Sequence, residues 1–249
     1  MKISHIINPV IMNKNSDLFY AQPMTFESMR NAKKCAEKIS NVNIELLAAC
    51  YEEDESIVPD YIKKTSNLTA SLLDLMKPIK PRKLPFIKDI LDRAVESDSD
   101  YIIYTNVDIS LTKEFYTKVL EYIKLGHDAL IINRITMPKY NNKGLEWYLE
   151  NIKTGKKHAG YDCFVFKKSA YSKFILGHIV IGINWIDEIL LRNVLTFACN
   201  PIVLQSPYMT FHMGDDLIWK DRDYSDQRKF NQLEAYALMD ELANHKLSV

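Results

Sequence analysis

The chain has 249 residues, 47% of them hydrophobic, enough for one large core or two small ones. Lys plus Arg and Asp plus Glu both total 32, so the formal net charge is zero and no global basic field is available to hold nucleic acid. No apolar run is long enough to span a bilayer, and the run at the start, Met1-Lys-Ile-Ser-His-Ile-Ile-Asn-Pro9, is too short for a signal peptide. Cys35, Cys50, Cys163 and Cys199 lie far apart, without Cys-x-x-Cys or Cys-His spacing and mostly in apolar surroundings. That pattern suits buried free thiols and a reducing, cytoplasmic setting better than disulfides or zinc.

Ile3 to Ile7 has the composition of a first strand, ended by Asn8-Pro9, and the polar segment that follows, to about Pro23, is expected as a loop. Thr25-Phe-Glu-Ser28 has the pattern of a helix start, with the helix running to about Ile39. Asn43 to Tyr51 is the next apolar run, followed by the acidic Glu52-Glu53-Asp54-Glu55. A strand, a helix and a second strand in this order predict a parallel sheet with right-handed crossovers. A helical stretch is expected around Leu68 to Met76. Pro85 then fits the first turn of a helix carrying Phe86, Ile87, Ile90, Leu91 and Ala94 at helical spacing. Lys80, Arg82, Lys83 and Lys88 cluster at its start, either as an anion site or as a solvated basic end.

Tyr101-Ile-Ile-Tyr-Thr105 is uncharged and rich in β-branched and aromatic residues, the composition of a fully buried central strand. It runs into Asn106-Val107-Asp108. In open α/β sheets the carboxyl edge is where ligands bind, and a carboxylate there suits Mg²⁺ or Mn²⁺. Ordinary turn chemistry also explains the pattern, with Asp108 capping a helix that starts near Leu111. That helix is expected from Thr112 to about Leu125, stopped by Gly126.

Asp128 to Ile135 is strand-like, and Arg134 among its apolar residues is costly without an anionic partner. Met137 to Lys157 is an excursion with a short helix around Trp147. In His158-Ala-Gly-Tyr-Asp-Cys-Phe-Val-Phe166 a glycine turn is expected to lead into a strand, with Tyr161 and Asp162 at its polar start. Asp162 there either orients a hydroxylated ligand or serves the turn's own backbone. Asn184 is a good cap for an apolar helix whose first turn holds Asp187 and Glu188; these complement the helix dipole or act as a general base. Pro201 to Phe211 is strand-like and leads to His212-Met-Gly-Asp-Asp216, with Trp219, Lys220 and Arg222 beyond. The chain closes with an amphipathic helix carrying Phe230, Leu233, Ala237 and Leu242.

Tyr104-Thr-Asn-Val-Asp108 is similar to the Asp-x-Asp motif of GT-A glycosyltransferases, and the order of elements resembles that of their nucleotide-sugar-binding half. The resemblance implies a single α/β domain over residues 1–225, Rossmann-like, with a mixed, mainly parallel sheet flanked by helices. Residues 226–249 would then be a C-terminal helix packed on it. It implies a nucleotide-diphospho-sugar donor, a glycan or other hydroxyl acceptor, and Mn²⁺ or Mg²⁺ at Asp108 and His212. Asn106 stands where the family commonly has its first Asp; an amide can bond a ribose hydroxyl or a metal-bound water, at the loss of one charge. Trp185-Ile-Asp-Glu188 resembles the acidic helix start that supplies the acceptor-activating base, which implies Asp187 in that role and Glu188 in reserve.

By the same resemblance Phe211-His-Met-Gly-Asp215 resembles the late histidine segment that completes the metal shell. Pro9, Val10 and Tyr51 would border the nucleotide base, while Lys83 and Lys220 would meet the phosphates. Arg134, Tyr161, Asp162 and Trp185 would border sugar or acceptor. Two other readings remain open. A nucleotidyltransferase of similar fold should have a glycine-rich loop after the first strand, where this chain has Asn8-Pro-Val-Ile-Met12. A catalytically silent sugar-nucleotide or glycan-binding domain would tolerate Asn106.

Overall fold

The computed structural model describes residues 1–214 and 220–247. In chain order its elements are β1 (Lys2–Ile7), α1 (Asp17–Ile39), β2 (Asn43–Ala48), β3 (Lys63–Lys64), α2 (Ile87–Val95), β4 (Tyr101–Thr105), β5 (Ile109–Leu111) and α3 (Phe115–Lys124). There follow β6 (Ala129–Met137), α4 (Leu145–Asn151), β7 (Lys156–Lys167), α5 (Lys168–Tyr171), α6 (Ile186–Phe197), β8 (Pro201–Leu204), β9 (Thr210–Met213) and α7 (Ser225–Leu247). All nine strands form one sheet, β3-β2-β1-β4-β7-β6-β9-β5, with β8 pairing β6 as well. It is mixed and mainly parallel, since β7 runs antiparallel to both β4 and β6, and β5 antiparallel to β9. No helix among the described residues is long and apolar enough to cross a membrane.

Strand alternation splits the core into two layers. Ile3, Ile7, Tyr101 and Ile103 pack against Phe26, Met29 and Ala32 of α1 and Phe115 and Val119 of α3. Ile6, Ile102 and Tyr104 face the other way, onto Ile87 and Ile90 of α2, Ile189 and Leu190 of α6, and Ala235 and Leu238 of α7. Because β7 is inserted between them, β4 and β6 point the same way. Their carboxyl ends, the segment after β1 and the start of β7 therefore share one edge of the sheet.

Several expectations are corrected. The segment before Pro23 is helical: α1 starts at Asp17, capped by Ser16, whose Oγ accepts from Leu18 N at 3.3 Å. Pro23 sits inside it, at an intrinsic cost of about 3 kcal/mol, and buried Ala21, Met24 and Phe26 on either side supply the packing that offsets this. Thr25 and Ser28 cap nothing. Ser28 Oγ accepts from Leu111 N at 2.9 Å and Thr25 Oγ1 lies 3.3 Å from Ser110 Oγ, so both tie α1 to β5.

The helix expected around Leu68 to Met76 is only a 3-10 turn, Leu72–Asp74, and α2 begins at Ile87 with Pro85 ahead of it. Ile109–Leu111 is a strand, which moves the start of α3 to Phe115. Lys156–Lys167 is one continuous strand through Gly160, and Pro201 to Phe211 is two strands that pair with opposite halves of β6. In α7 the buried positions are Gln227, Asn231, Ala235, Leu238 and Leu242, while Leu233 is 61% exposed. Cys50 and Cys163 are buried free thiols, but Cys199 is exposed and Cys35 half-buried.

Candidate functional site

A cavity of about 550 Å³ opens at the shared carboxyl edge. Asn8, Val10 and Met12 line it from the end of β1, Asn106, Val107 and Asp108 from the end of β4, and Arg134 from β6. His158 and Asp162 come from β7, Ile181 to Asn184 and Asp187 from the start of α6, and His212 from β9. Arg82, Lys83 and Lys220 add cationic side chains to the wall.

Asp108 caps no helix. Its Oδ2 lies 3.0 Å from His212 Nε2, a contact made because β5 pairs β9 with Ile109 opposite His212. His212 Nδ1 lies 2.7 Å from Gly214 O and donates to it. Burial alone would push the Asp108 carboxyl up, but the His212 imidazolium and then Arg134 outweigh it and hold its pKa below the ordinary value. For His212 burial pulls down, Asp108 outweighs it, and the ring's pKa is raised. Each group thus favours the charged form of the other. The pair's chemistry also fits a hard or borderline divalent cation, because the Nδ1 bond to Gly214 O orients the other ring nitrogen toward a carboxylate oxygen. Among the described residues no group of three or more His, Cys, Asp and Glu is gathered that could hold a metal. Two protein ligands completed by water and substrate phosphate is a usual arrangement for Mg²⁺.

Asn106 is engaged elsewhere. Its Oδ1 accepts from Tyr104 OH at 2.9 Å and its Nδ2 donates to Asp162 Oδ1 at 3.0 Å. The other Asp162 oxygen takes Arg134 Nη1 at 2.6 Å, in a pair whose side chains are only 12% and 10% exposed. The chain Tyr104, Asn106, Asp162, Arg134 thus forms one buried network on the cavity floor, and Arg134 Nε has no partner among the described residues.

Asp187 faces the cavity from the first turn of α6. Burial, and after it the charge of Asp162, raises its pKa above the ordinary carboxylate value. Gly160 makes the approach feasible, since a Cβ there would stand 3.0 Å from Asp187 Oδ2 and 3.1 Å from His158 Nε2. Asn184 is not the cap. The cap position is Trp185, in the left-handed region at φ 84° and without a side-chain cap bond.

Of the residues singled out from sequence, Val10, Lys83, Asn106, Asp108, Arg134, Asp162, Asp187, His212 and Lys220 line the cavity; Pro9, Tyr51, Tyr161, Trp185 and Glu188 do not. Tyr51 is not available to stack on a base. It is 4% exposed, its OH donates to Ala70 O at 2.9 Å, and Lys83 Nζ sits 3.9 Å from its ring centroid. Glu188 is bonded to Arg192 one helical turn on, at 2.6 Å. Lys80, Lys83 and Lys88 pair with Asp223, Glu53 and Asp92, and of the basic cluster Arg82 and Lys83 line the cavity. Asp215, Asp216 and Trp219 lie outside the described residues. Sequence reasoning missed His158, although it opens a segment already singled out, and the loop Ile181 to Asn184, which carries no chemical signature.

No protein-family model matches the chain, and no curated sequence does. Among solved structures it is similar to TarS 1–349 of S. aureus in complex with UDP-GlcNAc, at TM-score 0.58 and 10% identity, over 98% of this chain and 66% of that one. It is also similar to the mannosyltransferase PcManGT of Pyrobaculum calidifontis in complex with GDP-Man and Mn²⁺, at TM-score 0.51 and 9% identity, over 87% and 58%. A looser likeness, TM-score 0.47 at 11% identity over 92% and 98%, is to a 4-diphosphocytidyl-2C-methyl-D-erythritol synthase of Anaerococcus prevotii. The chain spans just under two thirds of the TarS chain and less of PcManGT. At these identities the likeness shows the fold alone, which is GT-A-like.

Proposed function

We propose that the chain transfers a sugar from a nucleotide-diphospho-sugar to a hydroxyl acceptor. The observation that carries this is the meeting of Asp108 Oδ2 and His212 Nε2, 104 residues apart in sequence, at 3.0 Å on the wall of a cavity that Asp187 also lines. Asp108 and His212 would hold Mn²⁺ or Mg²⁺ with the donor's diphosphate, and the cation would neutralise leaving-group charge, a contribution of several kcal/mol. Lys83 and Lys220, also on the cavity wall, would attract the same diphosphate. Asp187 would accept the proton of the acceptor hydroxyl as that oxygen bonds to the anomeric carbon and the sugar–phosphate bond breaks. Its raised pKa brings this base nearer to working pH. Asp162, held by Arg134 and Asn106, would receive sugar or acceptor hydroxyls.

The test is a thermal-shift panel of nucleoside diphosphates with and without Mn²⁺, because binding to the native state raises its melting point. A metal-dependent rise with at least one nucleotide is expected, and its loss in Asp108→Ala and His212→Ala with circular dichroism unchanged. A rise that survives both substitutions refutes the assignment. Release of nucleoside diphosphate from the bound sugar nucleotide supports transfer, release of pyrophosphate from a nucleoside triphosphate supplied with a sugar 1-phosphate points to nucleotidyl transfer, and metal-indifferent binding without turnover points to a silent binding domain. Asn106 is the observation that keeps the silent reading in play, because both ends of its amide are already bonded.

A further inference from the structure

The C-terminal helix does more than cover the sheet. Asn231, completely buried on α7, makes three bonds to the segment that leads into α6. Its Oδ1 accepts from Val180 N at 3.0 Å, and its Nδ2 donates to Val180 O at 2.9 Å and Asn184 O at 3.0 Å. On the same helical face Gln227 Nε2 donates to Lys80 O at 2.7 Å and Glu234 Oε1 accepts from His178 N at 2.7 Å. A helix seated only by apolar contact has no need of buried amides, whose polar groups are costly to leave unbonded. Here side chains of α7 bond the backbone of Lys80, His178, Val180 and Asn184, beside the segments 82–85 and 181–184 that line the cavity.

What Asn231 holds is strained. Immediately after Asn184 comes Trp185 at φ 84°, a conformation that is costly for a non-glycine residue and persists only where the surroundings impose it. On its other side the Trp185 ring meets Tyr236 of α7 edge-on, with centroids 5.2 Å apart. The turn so held is the one that starts α6 and turns Asp187 into the cavity.

We propose that Asn231 is a positioning residue for Asp187, acting through the Val180 to Trp185 backbone. The role of Asp187 rests on the function proposed above; the clamp itself does not. Asn231→Leu removes all three bonds while keeping the number and branching of side-chain heavy atoms, and Asn231→Ser, which leaves room for water, guards against a variant that fails to fold. Hydrogen exchange is expected to quicken at least tenfold in peptides covering 178–187 while peptides from β1 and β4 are unchanged. Unaltered exchange at 178–187 overturns the clamp.

With UDP-GlcNAc or GDP-mannose, whichever raises the melting temperature, hydrolytic release of nucleoside diphosphate should fall tenfold or more in kcat with nucleotide affinity unchanged. In an Asp187→Asn background Asn231→Leu should cost nothing further, a result that a merely structural role would not produce. An equal loss in both backgrounds overturns the positioning role. If neither sugar nucleotide is bound or hydrolysed, the proposed function falls and the exchange measurement still decides the clamp.

Discussion

His5 lies completely buried on β1, with Nδ1 2.7 Å from Tyr116 OH and Nε2 2.9 Å from Thr105 Oγ1. Burial pulls its pKa from the ordinary 6.5 to about 3, so the folded protein keeps the ring neutral where the unfolded chain charges it. The folded pKa is depressed, and the linked stability is therefore complete above pH 6.5 and lost as pH falls toward 3. At about 1.4 kcal/mol per pH unit below 6.5, the loss is about 2 kcal/mol at pH 5 and about 5 kcal/mol once both states are protonated. In a single domain of this size about 2 kcal/mol lowers the melting temperature by roughly 4–8 °C.

The assay is a set of urea melts of wild type and His5→Gln between pH 7.5 and 4.5. Other groups whose pKa is shifted affect both proteins alike and cancel in the difference. Whatever stability the variant loses at pH 7.5, its deficit relative to wild type should shrink by about 2 kcal/mol at pH 5. A deficit that stays constant across that range would refute the reasoning, because it would mean that His5 titrates alike in both states.

Gly160→Ala should displace Asp187 by a few tenths of an ångström, since the new Cβ would lie 3.0 Å from its Oδ2; donor turnover is expected to drop about tenfold with nucleotide affinity unchanged, read by steady-state kinetics. Asp162→Ala leaves Arg134 almost buried without its carboxylate, at a cost of about 3 kcal/mol or more, read as a fall in the urea midpoint. Turnover should climb with pH through the raised pKa of Asp187, because the base acts when ionised; an acidic limb at the ordinary carboxylate value would exclude Asp187 as that base. The same shift favours the folded state at low pH, and that contribution disappears as pH rises through the raised pKa. Glu188→Gln removes an i,i+4 pair to Arg192 and should change the melting temperature by less than about 2 °C and turnover not at all.

Some features of the molecule are local enough to be legible in the chain alone. β4 is uncharged from Tyr101 to Thr105 because both of its faces are covered, and the apolar spacing of α2 shows in Ile87, Ile90, Leu91 and Ala94. Asn106 to Asp108 falls at the carboxyl end of a buried strand, so its position at the cavity also follows from local pattern. Errors arose where a local signal had a tertiary use. Thr25 and Ser28 have the chemistry of a helix start and spend it on β5, and Asn184 has the chemistry of a cap but leaves that position to Trp185. The polar inner face of α7 hid the true register of its buried side, Asn231, Ala235, Leu238 and Leu242.

Periodicity records which face of each element is buried, because burial must be satisfied residue by residue along the chain. It carries no record of which distant element covers that face. The pairing of Asp108 with His212, the use of Asn106 to hold Asp162, and the grip of Asn231 on Asn184 join residues 104, 56 and 47 positions apart. Those meetings were decided by the antiparallel insertion of β7 between β4 and β6, by the pairing of β5 with β9, and by the seat of α7, all of them consequences of sheet order and helix packing.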